Sequence, residues 1–230
     1  MITFFDPIAD RIPFIIKGIP TTLLFTVLSV SFGFIWGTAL ALAKISSIPL
    51  LPRLTAVYTS IFRGTPLIVQ LSLIYYSTPQ LTNSLNEQFN WDIPPISPLV
   101  AAVLTFTLNS GAYISETIRG GVLAVDVGQR EAALSLGIPY RLMMVDIIAP
   151  QALKNILPAL LNETINILKD TAQVSVIGVV EILRSADIVA KEKFVFFQPF
   201  LIAAFIYYLI IGSVTLLAAS YERRLRRSEH

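Results

Sequence analysis

GQREAALSLGIPYRLMMVDIIAPQAL, residues 128–153, decides how this chain is read. It carries Arg130, Glu131, Arg141 and Asp146, while 18–43, 64–86, 93–115 and 194–221 contain no charged residue at all. A helix that crosses a bilayer needs roughly 20 apolar residues, so each uncharged run is long enough to span. The charged stretch is then an interruption with its own local logic. Alanine, leucine and glutamate favour helix, Gly137 supplies a C-terminal cap, and Pro139 blocks continuation. The pattern predicts a two-turn helix within about 128–138, standing clear of the membrane.

Composition agrees with a lipid environment. The 230 residues are 54% hydrophobic and 14% charged, against about 25% charged in an average soluble domain. A water-soluble helical protein needs a polar face on its surface helices, which these runs lack. The first run is also too long for the apolar core of a signal peptide, and Lys44 follows where a small-residue cleavage site is expected. There is no cysteine, and the single histidine is His230, so disulfides and thiolate metal sites are excluded. No G-x-x-x-x-G-K-[ST] stretch is present to hold nucleotide phosphates, and neither H-E-x-x-H nor G-x-S-x-G occurs. No catalytic residue, metal ligand or cofactor is assigned to this chain, and no nucleic-acid partner is indicated.

Working outward, the expected architecture is an all-α membrane protein with a single domain over 1–230. Five spans are read, at about 18–43, 56–79, 97–119, 155–179 and 194–221. Residues 1–17 read as an interfacial lead-in, 80–95 as a loop with Trp91 at headgroup level, and 184–194 as a polar loop. Gly33 and Gly37, one turn apart, fit either close helix packing or chance. The turn 44–53, the segment 119–154 and the tail hold two, four and four Lys or Arg; the opposite side holds two, none and three. Cations accumulate on the cytoplasmic side, so the interruption and the C-terminus are expected in the cytoplasm and the N-terminus outside.

Glu131, Ala132, Ala133 and Gly137, followed after nine residues by Ile147 and then Pro150, resemble the EAA loop of ABC importer permeases. Ala149 stands where that pattern usually has leucine. YTSIFRGTPLIVQL (58–71), YISETIRGGVLAVDVGQREAALSLG (113–137) and PQALKNILPALLNETINILKDT (150–171) are similar to the polar amino acid permeases of histidine, arginine and glutamine uptake systems. KDTAQ departs from the more usual Lys-Asp-Thr-Ser-Leu. The resemblance implies a type I importer permease of the bacterial inner membrane, with a coupling helix carrying Arg130 and Glu131 that docks on an ATPase. It implies two ATP-binding cassette subunits that bind ATP and magnesium, a second permease copy or homologue, an extracytoplasmic solute-binding protein, and an amino acid as substrate.

Charge inside a membrane is costly, so ionisable residues there are functional candidates. Asn162, Asn166 and Asp170 recur every four residues, and Glu163 lies three before Asn166, placing amides and carboxylates on one helix face. Lys169 beside Asp170 offers an internal ion pair as the alternative. Glu163 is the candidate for an ammonium or guanidinium group. Arg63 fits gating, substrate contact or snorkelling to lipid headgroups. Asn109, with Thr107, Glu116 and Thr117, could line the same route. Two rival readings are an ion-driven secondary transporter, whose usual internal repeats are not seen here, and a non-transporting membrane scaffold.

Overall fold

The computed structural model describes residues 4–227. Every regular element among them is helical: α1 (Ile12–Ile16), α2 (Ile19–Lys44), α3 (Leu50–Gly64), α4 (Leu67–Phe89), α5 (Pro98–Leu123), α6 (Val127–Ser135), α7 (Tyr140–Leu142), α8 (Ala149–Asp170), α9 (Ile182–Lys193) and α10 (Phe197–Arg227), with short tighter or wider turns between. Four stretches are long and apolar enough to cross a membrane: Asp6–Lys44, Pro98–Leu123, Tyr140–Ile177 and Phe197–Tyr221. The pair α3 and α4, bent by 103°, makes a fifth if the two are counted as one broken span. Of the basic tail, Ser228–His230 lie outside the described residues.

The α2–α5 pair forms the spine. Gly33 and Gly37 are a true packing motif, because a Cβ at Gly33 would meet the Ser110 side chain and one at Gly37 would meet Ile114. Small residues thus let two apolar helices approach closely. Phe25, Leu71, Phe106, Ile167 and Val174 fill the centre between α2, α4, α5 and the end of α8.

Five expectations need correction. The run read as one span at 56–79 is broken, because Thr65 precedes Pro66 and is held extended (φ −123°, ψ 144°), the conformation a following proline imposes. The loop read at 80–95 is largely helix, since α4 continues to Phe89 and stops at Asn90 in the left-handed region (φ 54°). The polar loop read at 184–194 is α9. Its Ile182, Ala186, Val189 and Ala190 are all buried on one face, and Glu181 caps it by accepting from Leu183 N at 2.8 Å and Arg184 N at 2.6 Å. The lead-in is no mere interfacial strand of chain: Ile8 and Ile15 are fully buried against α9 and α10. Arg11 pairs with Glu192, and Lys193 with Asp10 at 2.8 Å. The fourth span also begins earlier than 155, within the stretch Tyr140–Ile177, its regular helix starting at Ala149 and narrowing into a tight helical turn over Thr171–Ile177.

Candidate functional site

Two features carry chemistry. The first is the interruption. Asp126 starts α6 by accepting from Gly128 N at 2.7 Å, an N-cap of the ordinary kind. Gly137 ends it at φ 72°. Gly137 N donates to Leu134 O and Ile138 N to Ala133 O, both at 3.0 Å, the paired bonds of a Schellman cap. Arg130, Glu131 and Ala132 are exposed on this helix. Ala133 is not: it packs with Val125, Met143, Ile148, Ala152 and Ile156, so it anchors α6 to α8 rather than offering surface. Leu134 and Leu136 are exposed instead. Pro150 lies in the first turn of α8; the wide π-type turns over Met143–Ile148 precede it, where a proline without N–H cannot support regular helix bonding.

The second feature is a polar chamber of about 630 Å³, built where the broken span meets α5 and α8. Arg63, Gly64, Thr65, Pro66 and Leu67 form the bend side; Asn109 and Tyr113 come from α5; Glu163, Asn166, Lys169 and Asp170 come from α8, with Gln173 beyond it. The break is locked by side chains. Phe62 O lost its helical donor because residue 66 is proline, and it accepts from Asn109 Nδ2 at 3.1 Å and Gln70 Nε2 at 2.9 Å. Gln70 Nε2 also lies 2.7 Å from Thr65 Oγ1. Asn109 therefore has a structural duty besides facing the chamber.

The Arg63 guanidinium sits 5.3 Å from the Tyr113 ring centroid, a cation–π arrangement. Gln173 Nε2 donates to Asp170 Oδ1 at 2.9 Å. Among the described residues no salt bridge joins Arg63 or Lys169 to Glu163 or Asp170, so the alternative of a close Lys169–Asp170 pair is not formed, although Lys169 acts on Asp170 through space. The chamber thus brings together Arg63, Asn109, Glu163, Asn166 and Asp170, and leaves Asn162 exposed outside its lining. Glu163 also borders a smaller cavity of about 270 Å³ toward α2. Thr107 instead lines an almost wholly apolar groove between α2 and α5, and Glu116 is engaged by Lys44 and Arg119.

Sequence reasoning missed Tyr113, Gln173 and the supporting Gln70. Each carried a signal: Tyr113 is four residues after Asn109, Gln173 three after Asp170, and Gln70 is a polar residue four after Pro66 in an apolar run. Among the described residues no three Asp, Glu, His or Cys side chains gather closely enough to hold a metal ion.

Residues 49–227 match a family described as the binding-protein-dependent transport system inner membrane component. The chain is 41% identical to the arginine transport system permease protein ArtQ of Bacillus subtilis, over 98% of each chain. It is 42% identical to the putative glutamine transport system permease protein GlnP of Rickettsia felis, over 94% of each. A crystal structure of an amino acid ABC transporter with histidines aligns with TM-score 0.85 and 42% identity, covering 97% of this chain and 100% of that one. The MetNI methionine ABC transporter in an inward-facing form aligns with TM-score 0.70 at 18% identity, covering 96% and 98%, a likeness of fold alone.

Proposed function

From the premise that this chain belongs to the family of binding-protein-dependent transport system inner membrane components, we propose that an amino acid passes through the polar chamber beside the α3–α4 bend. The chain is a transmembrane permease subunit of an ATP-driven ABC importer for polar amino acids, and it is not itself an enzyme. It is a multi-pass inner membrane protein that works with ATPase subunits and a substrate-binding protein. The similarity to arginine and glutamine permeases and to a transporter with histidines supports an amino acid with a nitrogen-rich side chain as cargo.

One observation carries the chamber's role: Arg63, Lys169, Glu163 and Asp170 line one cavity and no close salt bridge joins them, although Lys169 acts on Asp170 through space. Charge in a membrane is costly, and a zwitterion supplies closer opposite charges than these groups give one another. In this reading Arg63 takes the α-carboxylate as a bidentate donor, and Glu163 with Asp170 takes ammonium or guanidinium groups. Asn166 and Gln173 add amide bonds, and Pro150 sets where α8 begins beneath them. Arg130 and Glu131 on α6, with the exposed Leu134 and Leu136, form the surface that an ATPase subunit grips, and that partner binds ATP and magnesium. Two permease chains, this one paired with a copy or homologue, complete the pathway over two ATPases. The Lys and Arg distribution supports a cytoplasmic α6 and C-terminus and an external N-terminus.

The test is retention of radiolabelled arginine, histidine and glutamine by the detergent-purified complex. Glu163→Gln lowers retention of arginine more than that of glutamine, and Arg63→Ala lowers all three. Unchanged retention in both variants removes the chamber from the pathway.

A further inference from the structure

Lys44 is the last residue of α2, yet its side chain turns inward and is only 7% exposed. Its ammonium pairs with Glu116 and lies 3.2 Å from Thr59 Oγ1 and 3.3 Å from Ser115 Oγ. An ammonium has three protons to donate and accepts none, so these three oxygens satisfy it. Both hydroxyls spend their own protons on backbone, Thr59 on Ala56 O and Ser115 on Ala112 O, which leaves their lone pairs toward Lys44. The second Glu116 oxygen takes Arg119 Nε at 2.8 Å.

Stability alone does not account for this junction. Replacing a buried ion pair by well-packed apolar residues is often neutral or stabilising, and a leucine there would hold three helices together. What the ion pair adds is a fixed register between particular helices, and the helices are telling. α5 runs on from Glu116 to Leu123 and then through Asp126 directly into α6. Thr59 is one turn before Arg63 on α3, and Glu116 is one turn after Tyr113, whose ring carries the Arg63 guanidinium.

We propose that Lys44 is a positioning residue for transport, a buried rivet through which displacement of α6 reaches the Arg63 side of the chamber. It touches neither the chamber nor the surface of α6. The inference rests on the reading of this chain as an ATP-driven permease.

The chain lacks cysteine, so one introduced thiol reports on the chamber. Gly64 borders the chamber, and a Cβ there meets nothing within 4 Å, so the fold accommodates Gly64→Cys, and the Gly64→Cys complex itself is the reference for every second substitution. In the complex with its ATPase subunits, the maleimide labelling rate of Gly64→Cys is measured with and without ATP plus vanadate, alongside ATP hydrolysis. The reporter alone changes rate by at least about fivefold on nucleotide trapping, the scale of a coupling free energy near 1 kcal/mol. Adding Lys44→Met abolishes that response while hydrolysis continues, and Lys44→Arg restores part of it. Thr59→Val, which keeps the ion pair and removes only the α3 contact, reduces the response and guards against a folding failure at Lys44.

A responsive reporter that stays fully responsive with Lys44→Met and with Thr59→Val overturns the rivet alone. So does loss of hydrolysis in step with the response in the Thr59→Val complex, which marks a merely structural contact. A reporter indifferent to nucleotide before any second substitution overturns the ATP-driven reading, and the rivet with it.

Discussion

Asn109 and Gln70 meet above the broken turn at Pro66: Asn109 Nδ2 donates to Gln70 Oε1 at 3.0 Å, and both amides donate to Phe62 O. Two side chains from different helices thereby replace the backbone donor that proline lacks. Non-helical backbone at membrane depth is tolerated only when its polar groups are satisfied within the protein. Gln70→Leu leaves Thr65 without its amide partner and Phe62 O with one donor instead of two. A loss of about 1–3 kcal/mol follows for a buried group left short of partners. Thermal unfolding in detergent checks it, and Gln70→Glu fares no better because a carboxylate cannot donate.

Arg63 is held over Tyr113 and offers a planar fork for a carboxylate. Arg63→Lys keeps the charge but not the bidentate geometry, so uptake falls about tenfold through KM, corresponding to roughly 1.4 kcal/mol of lost binding. Tyr113→Leu, which removes only the ring, has a smaller effect of about 0.5–1 kcal/mol. Initial uptake rates over a substrate series separate the two.

Gly137 adopts φ 72°, a conformation that costs an L-residue about 1–2 kcal/mol. Gly137→Ala therefore loosens the end of α6 even though nothing lies within 4 Å of the added methyl. Weaker co-purification of the ATPase, with unchanged membrane insertion, is the expected outcome. Gly64→Ala is the matched control, since its surroundings are equally open and its backbone is not left-handed.

Tyr207 donates to the buried Glu181 carboxylate at 2.6 Å, beside the two backbone donors at the start of α9. Tyr207→Phe removes the phenol donor from a fully buried carboxylate, and stability drops by about 1–3 kcal/mol. Hydrogen exchange at the first turn of α9 reads the change locally. Glu181→Gln keeps the side chain's size but turns one acceptor oxygen into an NH2 that faces donors, and it is also destabilising.

What the sequence made legible follows from how local each signal is. α6 was readable because its cap, its helix formers and its stop residues all lie within a dozen positions. Four spanning stretches were readable because uncharged runs need no partner to be recognised. The break at Pro66 was written in Gly64-Thr65-Pro66, but an uninterrupted apolar run of the right length outweighed it. α9 was obscured because its charges, Arg184, Asp187, Lys191, Glu192 and Lys193, suggested solvent. Arg184 and Lys191 pair with Asp187 within the helix, while Glu192 and Lys193 find Arg11 and Asp10 at the other end of the chain. The acidic stripe on α8 was visible by spacing, while the exclusion of Asn162 depended on where α5 and the bend happen to pack.

The central claim is that α6 projects into the cytoplasm and is held by an ATP-hydrolysing subunit. Leu134 is 53% exposed on that helix, and Leu134→Cys is the sole thiol in the chain. A photo-activated crosslinker attached there captures a nucleotide-binding subunit in native membranes, and impermeant maleimide added outside intact cells leaves the thiol unlabelled. Labelling from outside, with no nucleotide-binding partner captured, contradicts the account.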